Sequence, residues 1–170
     1  RKQRYGDPRR VFVAGCLAQR YAAELLNEIP AIDAIVGVGQ FDRLAQLIAD
    51  GGASTAERNA VESKPAVTIY PFMHRRRLDR RPYTFLKISD GCDHACTFCS
   101  IPLMKGKHRS VTREILIEEM RALFADGVKE FNLVAQDLAD YGKDLHDGYR
   151  LPHLLRDLCA VDGDFWIRCL

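Results

Sequence analysis

The sequence lacks a long apolar run. No stretch reaches the roughly 18 apolar residues that a membrane-spanning helix needs, and no apolar signal core follows the first ten residues. The net charge is also small, because 25 Lys and Arg stand against 23 Asp and Glu to give +2. That balance alone indicates neither a nucleic-acid nor a membrane partner. We therefore expect a cytoplasmic protein without a membrane segment.

Cysteines arranged as a disulfide framework are lacking too. The chain has six cysteines, but three crowd into eight residues and the others are scattered at Cys16, Cys159 and Cys169. Disulfide-rich secreted domains are small and loop-rich, whereas 170 residues with 47% hydrophobic content can bury a sizeable core. The pattern favours metal or redox chemistry in a reducing compartment. We interpret Cys159 and Cys169 as core residues.

What the chain does contain is an alternation of short apolar runs with amphipathic stretches. The predicted strands cover residues 11–14, 32–38, 83–89, 128–135 and 164–170. The predicted helices cover residues 18–28, 41–49, 112–126 and a stretch with Pro152 in its first turn. The order predicts an α/β fold with parallel strands and with functional loops at the carboxyl ends of the strands. The first strand is expected to be buried, with Cys16 at its carboxyl end.

A polar segment separates the two α/β parts. Residues 51–64 are small and polar, which is typical of a linker. We therefore predict an N-terminal domain over 1–55, a linker over 56–81 and a second domain over 82–170. Five arginines lie between residues 75 and 81, as either a solvated interdomain segment or a contact to RNA phosphate. The apolar residues of the last strand suggest a fragment of a longer protein.

The most informative stretch is a C-x₃-C-x₂-C run of Cys92, Cys96 and Cys99, directly after a predicted strand. Three thiolates this close can hold one metal centre and leave a fourth position open, as in an iron–sulfur cluster whose fourth iron binds a ligand. Zinc is the alternative, and it would need a fourth ligand from His94, His108 or a distant Cys159 or Cys169. Because such a ligand would close the open position, we expect His94 to be a solvated spacer.

The cysteine run and its surroundings resemble a known family. An aromatic residue, Phe98, precedes the last cysteine, and the run lies between a strand and a helix, as in radical S-adenosylmethionine (SAM) enzymes. Residues 86–92, 101–102 and 134–137 resemble the methylthiotransferase branch. The ending Gln136-Asp137 is more similar to the RimO type, which modifies a ribosomal protein, than to the MiaB type, which modifies tRNA and usually has Gln-Asn there.

The resemblance implies a fold, cofactors and residue roles. The fold would be part of an N-terminal methylthiotransferase domain and then the first βαβαβ portion of a partial TIM-type barrel. The cofactors would be SAM and, in the full-length protein, two 4Fe–4S clusters. The radical cluster would be bound by Cys92, Cys96 and Cys99, and Cys16 would be one of three ligands of an auxiliary cluster. The adenosine of SAM would lie near Phe98, Ile101 and Pro102. Its methionine part or the substrate would face Gln136 and Asp137.

The implied reaction is transfer of a methylthio group to the β-carbon of an aspartate in a small-subunit ribosomal protein. Its partners would be that protein and a reductant of the flavodoxin or ferredoxin type. A contact of the arginine cluster to RNA stays open beside the interpretation as a solvated segment. The fragment is expected to be inactive alone. Two alternatives stay open: the same chemistry on a tRNA adenosine, and a zinc-stabilised nucleic-acid-binding module in which the cysteines are structural.

Overall fold

The structure, a computed structural model, describes residues 10–50, 58–62 and 77–170. The basic N-terminal residues, most of the predicted linker and two members of the arginine cluster, Arg75 and Arg76, lie outside the described residues. The chain divides into two compact units, the first made of residues 1–68 and 95–106 and the second of residues 69–94 and 107–170. The three-part domain division therefore stays a prediction.

The first unit contains a three-stranded parallel sheet. Its strands are β1 (Phe12–Ala14), β2 (Ala34–Val36) and β3 (Asn59–Ala60), and its helices are α1 (Cys16–Glu28), α2 (Phe41–Ala49) and α3 (Ile101–Lys105). β2 lies between β1 and β3. The predicted order of strand, helix, strand and helix is confirmed. β3, however, lies inside the predicted linker. It was not predicted because a two-residue strand is too short to produce a periodic pattern.

Helix α1 begins two residues earlier than predicted. Gly15 has φ 108°, a conformation that glycine adopts without penalty, and this lets the chain turn into the helix directly after β1. Cys16 is therefore the first helical residue and does not end the strand. β1 is partly exposed, in contrast to the buried strand predicted. Ala18, Ile32 and Ile35 form a small core beside it.

The second unit has the predicted βαβαβ order. Its elements are β4 (Tyr83–Lys87), β5 (Ser89–Asp90), β6 (Arg109–Ser110), α4 (Arg113–Ala125), β7 (Glu130–Val134), α5 (Leu151–Cys159) and β8 (Trp166–Cys169). β4, β7 and β8 form a parallel sheet with β7 in the middle. Leu116 and Met120 of α4 and Leu154 and Leu158 of α5 are fully buried in one core with Phe131. The α/β prediction with parallel sheets is confirmed.

The two faces of this sheet differ in burial. On β4 the side chains alternate, so Thr84 and Leu86 are buried while Phe85 is 51% exposed. The pairing register places Phe85 beside Asn132 and Asn132 beside Arg168. One face is therefore packed against the helices, and the other, called here the open face, carries exposed side chains of β4 and β8.

Two cysteine predictions are wrong. Cys159 and Cys169 are exposed, although both were expected in the core. Cys159 is the last residue of α5, one position beyond the buried Leu158. Cys169 aligns with the buried Leu133, but it lies on β8 at the edge of the described sheet, where nothing described covers it. In the described parts of the chain, no helix has both the length and the apolarity required to cross a bilayer.

Candidate functional site

A short antiparallel hairpin closes the base of the cysteine loop. β5 pairs with β6, so Ser89 lies opposite Ser110 and Asp90 opposite Arg109. Just beyond this pairing, the His108 amide donates a hydrogen bond to Asp93 Oδ1 at 3.0 Å. The two ends of the loop are thus held together by backbone pairing and a side-chain contact. The sequence pattern predicts one strand through Ser89 and gives no sign of the hairpin.

Gly91 connects the hairpin to the first cysteine. It has φ 77°, which favours glycine, and its amide donates hydrogen bonds to Asp90 Oδ1 at 3.1 Å and to Gln136 Oε1 at 2.9 Å. Gln136 follows β7, so its side chain fixes the start of the cysteine loop to the carboxyl end of the neighbouring strand.

The three cysteines of the loop are free thiols. Cys92 and Cys99 are half-buried and Cys96 is exposed. The His94 amide donates a hydrogen bond to Cys92 Sγ at 3.4 Å, and the Cys99 amide donates one to the Cys96 carbonyl at 3.1 Å. Free thiols on one loop, one of them already accepting an N–H, fit the donor set of an iron–sulfur cluster, whose potential depends on such bonds.

The division between the two units falls inside the cysteine loop, after His94. Cys92 belongs to the second unit, while Cys96 and Cys99 belong to the first, together with Cys16. Within the first unit, helix α1, which begins at Cys16, contacts helix α3, which begins two residues after Cys99. Binding of one cluster by Cys92, Cys96 and Cys99 stays a prediction.

His94 is exposed, as the sequence predicts, but it also contacts two carboxylates that the sequence does not indicate. Its Nε2 lies 3.1 Å from Asp137 Oδ2 and 3.3 Å from Asp140 Oδ2, and its side chain is half-exposed. Among the described residues, these three side chains form a group whose possible ligand atoms all lie within 4.8 Å of one another. Lys143 also forms an ion pair with Asp140. Asp140 therefore contacts both His94 and Lys143, whereas Asp137 contacts His94. His94 therefore links the cysteine loop to the loop after β7.

The electrostatics of this group favour the ionised form of Asp140. The hydrogen bond from Lys143 holds the pKa of Asp140 below its usual range against the opposing effect of burial, and His94 and His108 lower it further. Asp137 additionally accepts the Ala139 amide at Oδ1, at 2.9 Å.

The remaining predicted ligand-binding residues differ in their surroundings. Phe98 is 90% exposed, and Ile101 and Pro102 are half-buried in the first turn of α3. The side chains of Gln136 and Asp137 contact Gly91 and His94, respectively. Their predicted roles toward SAM or substrate stay predictions, but both side chains have an observed role in holding the cysteine loop.

A buried network behind the hairpin was not predicted. Ser110 donates from Oγ to Asp144 Oδ1 at 2.6 Å and from its amide to Oδ2 at 2.9 Å. The same Oγ accepts the Gly142 amide at 2.8 Å and lies 3.2 Å from Nε2 of the buried His108. The sequence indicates His108 only as a possible fourth ligand of zinc, and no local pattern shows that it lies beside Asp144, which is 36 positions away.

We expect Asp144→Asn to weaken folding and to flatten its acid dependence. Burial tends to raise the pKa of Asp144, but the hydrogen bonds from the Ser110 hydroxyl and amide, a backbone hydrogen bond of Asp144 itself and the nearby His108 together hold that pKa below its usual range. The stabilisation is therefore complete above the unfolded pKa and is lost as the pH falls through the folded pKa. In urea unfolding of the full-length protein at neutral pH, the substitution should cost about 1–3 kcal/mol.

Asp162→Asn, which alters an exposed carboxylate, is the matched control for this measurement. It should leave both the stability and its acid dependence unchanged. An Asp144→Asn variant that loses stability below about pH 4 as steeply as the unsubstituted protein would show that the Ser110 contacts do not carry this dependence.

The arginine cluster is partly used inside the second unit. Arg77 donates to Asp126 Oδ2 at 3.0 Å and to the Arg81 carbonyl, and its side chain is only 10% exposed. Arg81 is exposed and donates to the Tyr83 hydroxyl at 2.6 Å. Arg77 is therefore a structural residue, because its guanidinium is bonded and covered. A contact to RNA stays a prediction for the cluster as a whole.

Comparison with known proteins finds a family match over the cysteine loop and the elements on either side of it. Residues 86–167 match the profile of the Radical SAM superfamily. This segment is therefore similar to members of that superfamily. The radical SAM segment begins at Leu86 of β4 and includes the cysteine loop, α4, β7, α5 and part of β8. The prediction of SAM and 4Fe–4S clusters as cofactors is confirmed at the level of this family.

Curated relatives extend the similarity beyond the radical SAM segment. The chain is 44% identical over 99% of its length to the ribosomal protein uS12 methylthiotransferase RimO of Thermotoga maritima, and 39% identical over 97% to that of Desulfitobacterium hafniense. The enzyme of the same name from Acetivibrio thermocellus is 41% identical over 94% of the chain. The predicted resemblance to RimO-type methylthiotransferases is confirmed. The chain spans 36–37% of the length of these relatives.

Proposed function

We propose that the full-length protein is a SAM-dependent iron–sulfur methylthiotransferase that modifies ribosomal protein uS12. The observation that carries the proposal is the cysteine loop within the radical SAM segment, in a chain 39–44% identical to enzymes named for this activity. The acceptor would be the β-carbon of an aspartate. The described chain covers about 37% of such an enzyme, so the activity belongs to the whole protein.

The proposed ligands of the radical cluster are Cys92, Cys96 and Cys99. When bound, the cluster and SAM supply a radical that removes hydrogen from an unactivated C–H bond. Gln136 accepts the Gly91 amide, and Asp137 and Asp140 contact His94, so the protein preorganises the part of the loop from Gly91 to His94, which includes Cys92. The further proposed contacts are Phe98, Ile101 and Pro102 to the adenosine of SAM, Gln136 and Asp137 to its methionine part or the substrate, and Cys16 to an auxiliary cluster.

The proposed fold of the second domain is the first part of a partial TIM-type barrel. Three observations support it: β4, β7 and β8 are parallel, α4 and α5 cover one face, and the cysteine loop and Gln136 follow the carboxyl ends of adjacent strands. We also propose the division into residues 1–55, 56–81 and 82–170. Cytoplasmic localisation and a reductant of the flavodoxin or ferredoxin type follow from the proposed chemistry.

The test is an anaerobic assay of the full-length protein with SAM and a reductant on two substrates, uS12 and tRNA. Mass spectrometry should find one methylthio group in place of one hydrogen on a uS12 aspartate, and unmodified tRNA. Modification of a tRNA adenosine instead would establish the first alternative. A protein that binds one zinc, unfolds on chelation and modifies neither substrate would establish the zinc module.

A further inference from the structure

Lys87 is the last residue of β4 and lies on the open face of the sheet. The alternation along β4 places it on the same face as the exposed Phe85 and opposite the buried Leu86. Its register partner on β7 is Val134, which is the last residue of that strand. Lys87 is therefore a cation at the carboxyl edge of a parallel sheet, where α/β proteins bind their ligands.

A buried carboxylate fixes the position of this ammonium group. Lys87 Nζ lies 2.5 Å from Asp90 Oδ2, and the Asp90 side chain is 8% exposed while that of Lys87 is 48% exposed. The other oxygen of Asp90 accepts the Gly91 amide at 3.1 Å. Asp90 thus holds the ammonium group beside the residue that precedes Cys92. An ammonium has three donors, so the bond to Asp90 leaves capacity for another anion on the exposed side.

The other described charges on the open face are arranged differently. Glu130 is the first residue of β7, and Arg168 lies two register positions further along, on β8. Their side chains bond to each other, with Arg168 Nε 3.2 Å from Glu130 Oε1. Glu130 and Arg168 therefore lie toward the amino-terminal end and the middle of the parallel strands, whereas Lys87 lies at their carboxyl end, which leads into the cysteine loop.

We propose that Lys87 binds the carboxylate of the acceptor side chain and so makes the enzyme select an acidic residue. This inference rests on the proposed function. Modification at the β-carbon of an aspartate leaves its carboxylate intact, so that group can anchor the side chain throughout the reaction. A charge-assisted bond from an ammonium to a carboxylate is stronger than a neutral one, and a site built for that bond rejects an analogue that lacks it. A tRNA adenosine has no carboxylate.

The test compares Lys87→Met with the unsubstituted full-length enzyme on uS12 carrying either Asp or Asn at the acceptor position. For the Asp form, Lys87→Met should bind roughly 10²-fold or more weakly by isothermal titration and lose kcat/KM in parallel. The unsubstituted enzyme should strongly prefer Asp to Asn, and Lys87→Met should show almost no preference. Lys87→Arg, which keeps the charge, should recover part of the preference.

Two further variants separate recognition from structure. Lys129→Met removes a lysine that directly precedes β7, at the end of the parallel strands opposite to Lys87, and should leave the preference for Asp unchanged. The double variant Lys87→Gln with Asp90→Asn replaces the ion pair by a neutral hydrogen-bonded pair. A loss of Asp preference in this variant therefore cannot come from a buried carboxylate that has lost its counter-ion. Iron content and the electron paramagnetic resonance (EPR) spectrum should match those of the unsubstituted enzyme in every Lys87 variant.

Full Asp preference and unchanged uS12 affinity in Lys87→Met and in the double variant would overturn this inference while leaving the proposed function in place. If the unsubstituted enzyme does not modify uS12 at all, both proposals fail together.

Discussion

Replacing any one of Cys92, Cys96 and Cys99 by alanine is expected to remove the radical cluster from the full-length protein. Two thiolates would remain to hold a cubane that needs three, so anaerobic reconstitution should yield about four fewer irons per chain. Cleavage of SAM to 5′-deoxyadenosine should fall to background. Iron analysis and chromatography of the reaction products measure the two effects separately.

Cys159→Ala and Cys169→Ala are the matched controls for this series. Both remove an exposed, free thiol outside the cysteine loop, and both should retain the full iron content and SAM cleavage. A loop variant with unchanged iron, or a control that loses as much iron as the loop variants, would show that the cluster is held by other ligands.

Gly142→Ala is expected to cause one of the largest losses of stability of any single substitution. Gly142 has φ 83°, and a Cβ built there would lie 2.1 Å from the Tyr149 carbonyl oxygen and 3.2 Å from Arg150 Cα. Its amide donates to Ser110 Oγ and its carbonyl accepts from Arg150 Nη1, so the backbone cannot shift without breaking the buried network. Urea unfolding should show a loss of about 4 kcal/mol or more.

Gly148→Ala isolates the contribution of the backbone conformation. Gly148 has φ 78°, nearly the same as Gly142, but a Cβ there would meet no atom within 4 Å. The substitution should therefore cost only about 1–2 kcal/mol. Equal losses for the two variants would mean that the contact with Tyr149 does not contribute.

The elements that the sequence predicted best are those with enough residues for a pattern. Helix α2 was predicted at its observed bounds, Phe41–Ala49, and α4 and β7 were predicted with bounds one to two residues too long. The elements that were missed, β3, the β5 and β6 hairpin and α3, have two to five residues each. Such short elements depend on pairing and packing with distant residues, which local periodicity does not reveal.

The candidate site shows the same limit. The spacing of the cysteines indicated the metal chemistry because the ligands lie on one loop. The contacts of His94 with Asp137 and Asp140 were not predicted, because these partners lie more than 40 positions away and reach it only through the pairing of β4 with β7. Prediction of such contacts requires the register of the sheet, not the sequence near the histidine.

The burial of single residues on edge strands and at helix ends could not be predicted from the sequence either. Cys169 has the apolar neighbours typical of a core strand, yet it is exposed on β8, because burial requires a covering layer as well as an apolar face.

The most direct test of the account is an EPR measurement on the reconstituted, reduced full-length protein with and without SAM. We expect the signal of a reduced 4Fe–4S cluster that changes when SAM is added, and loss of this SAM-sensitive signal in Cys92→Ala. A colourless protein that contains one zinc, gives no iron signal and does not respond to SAM would contradict it.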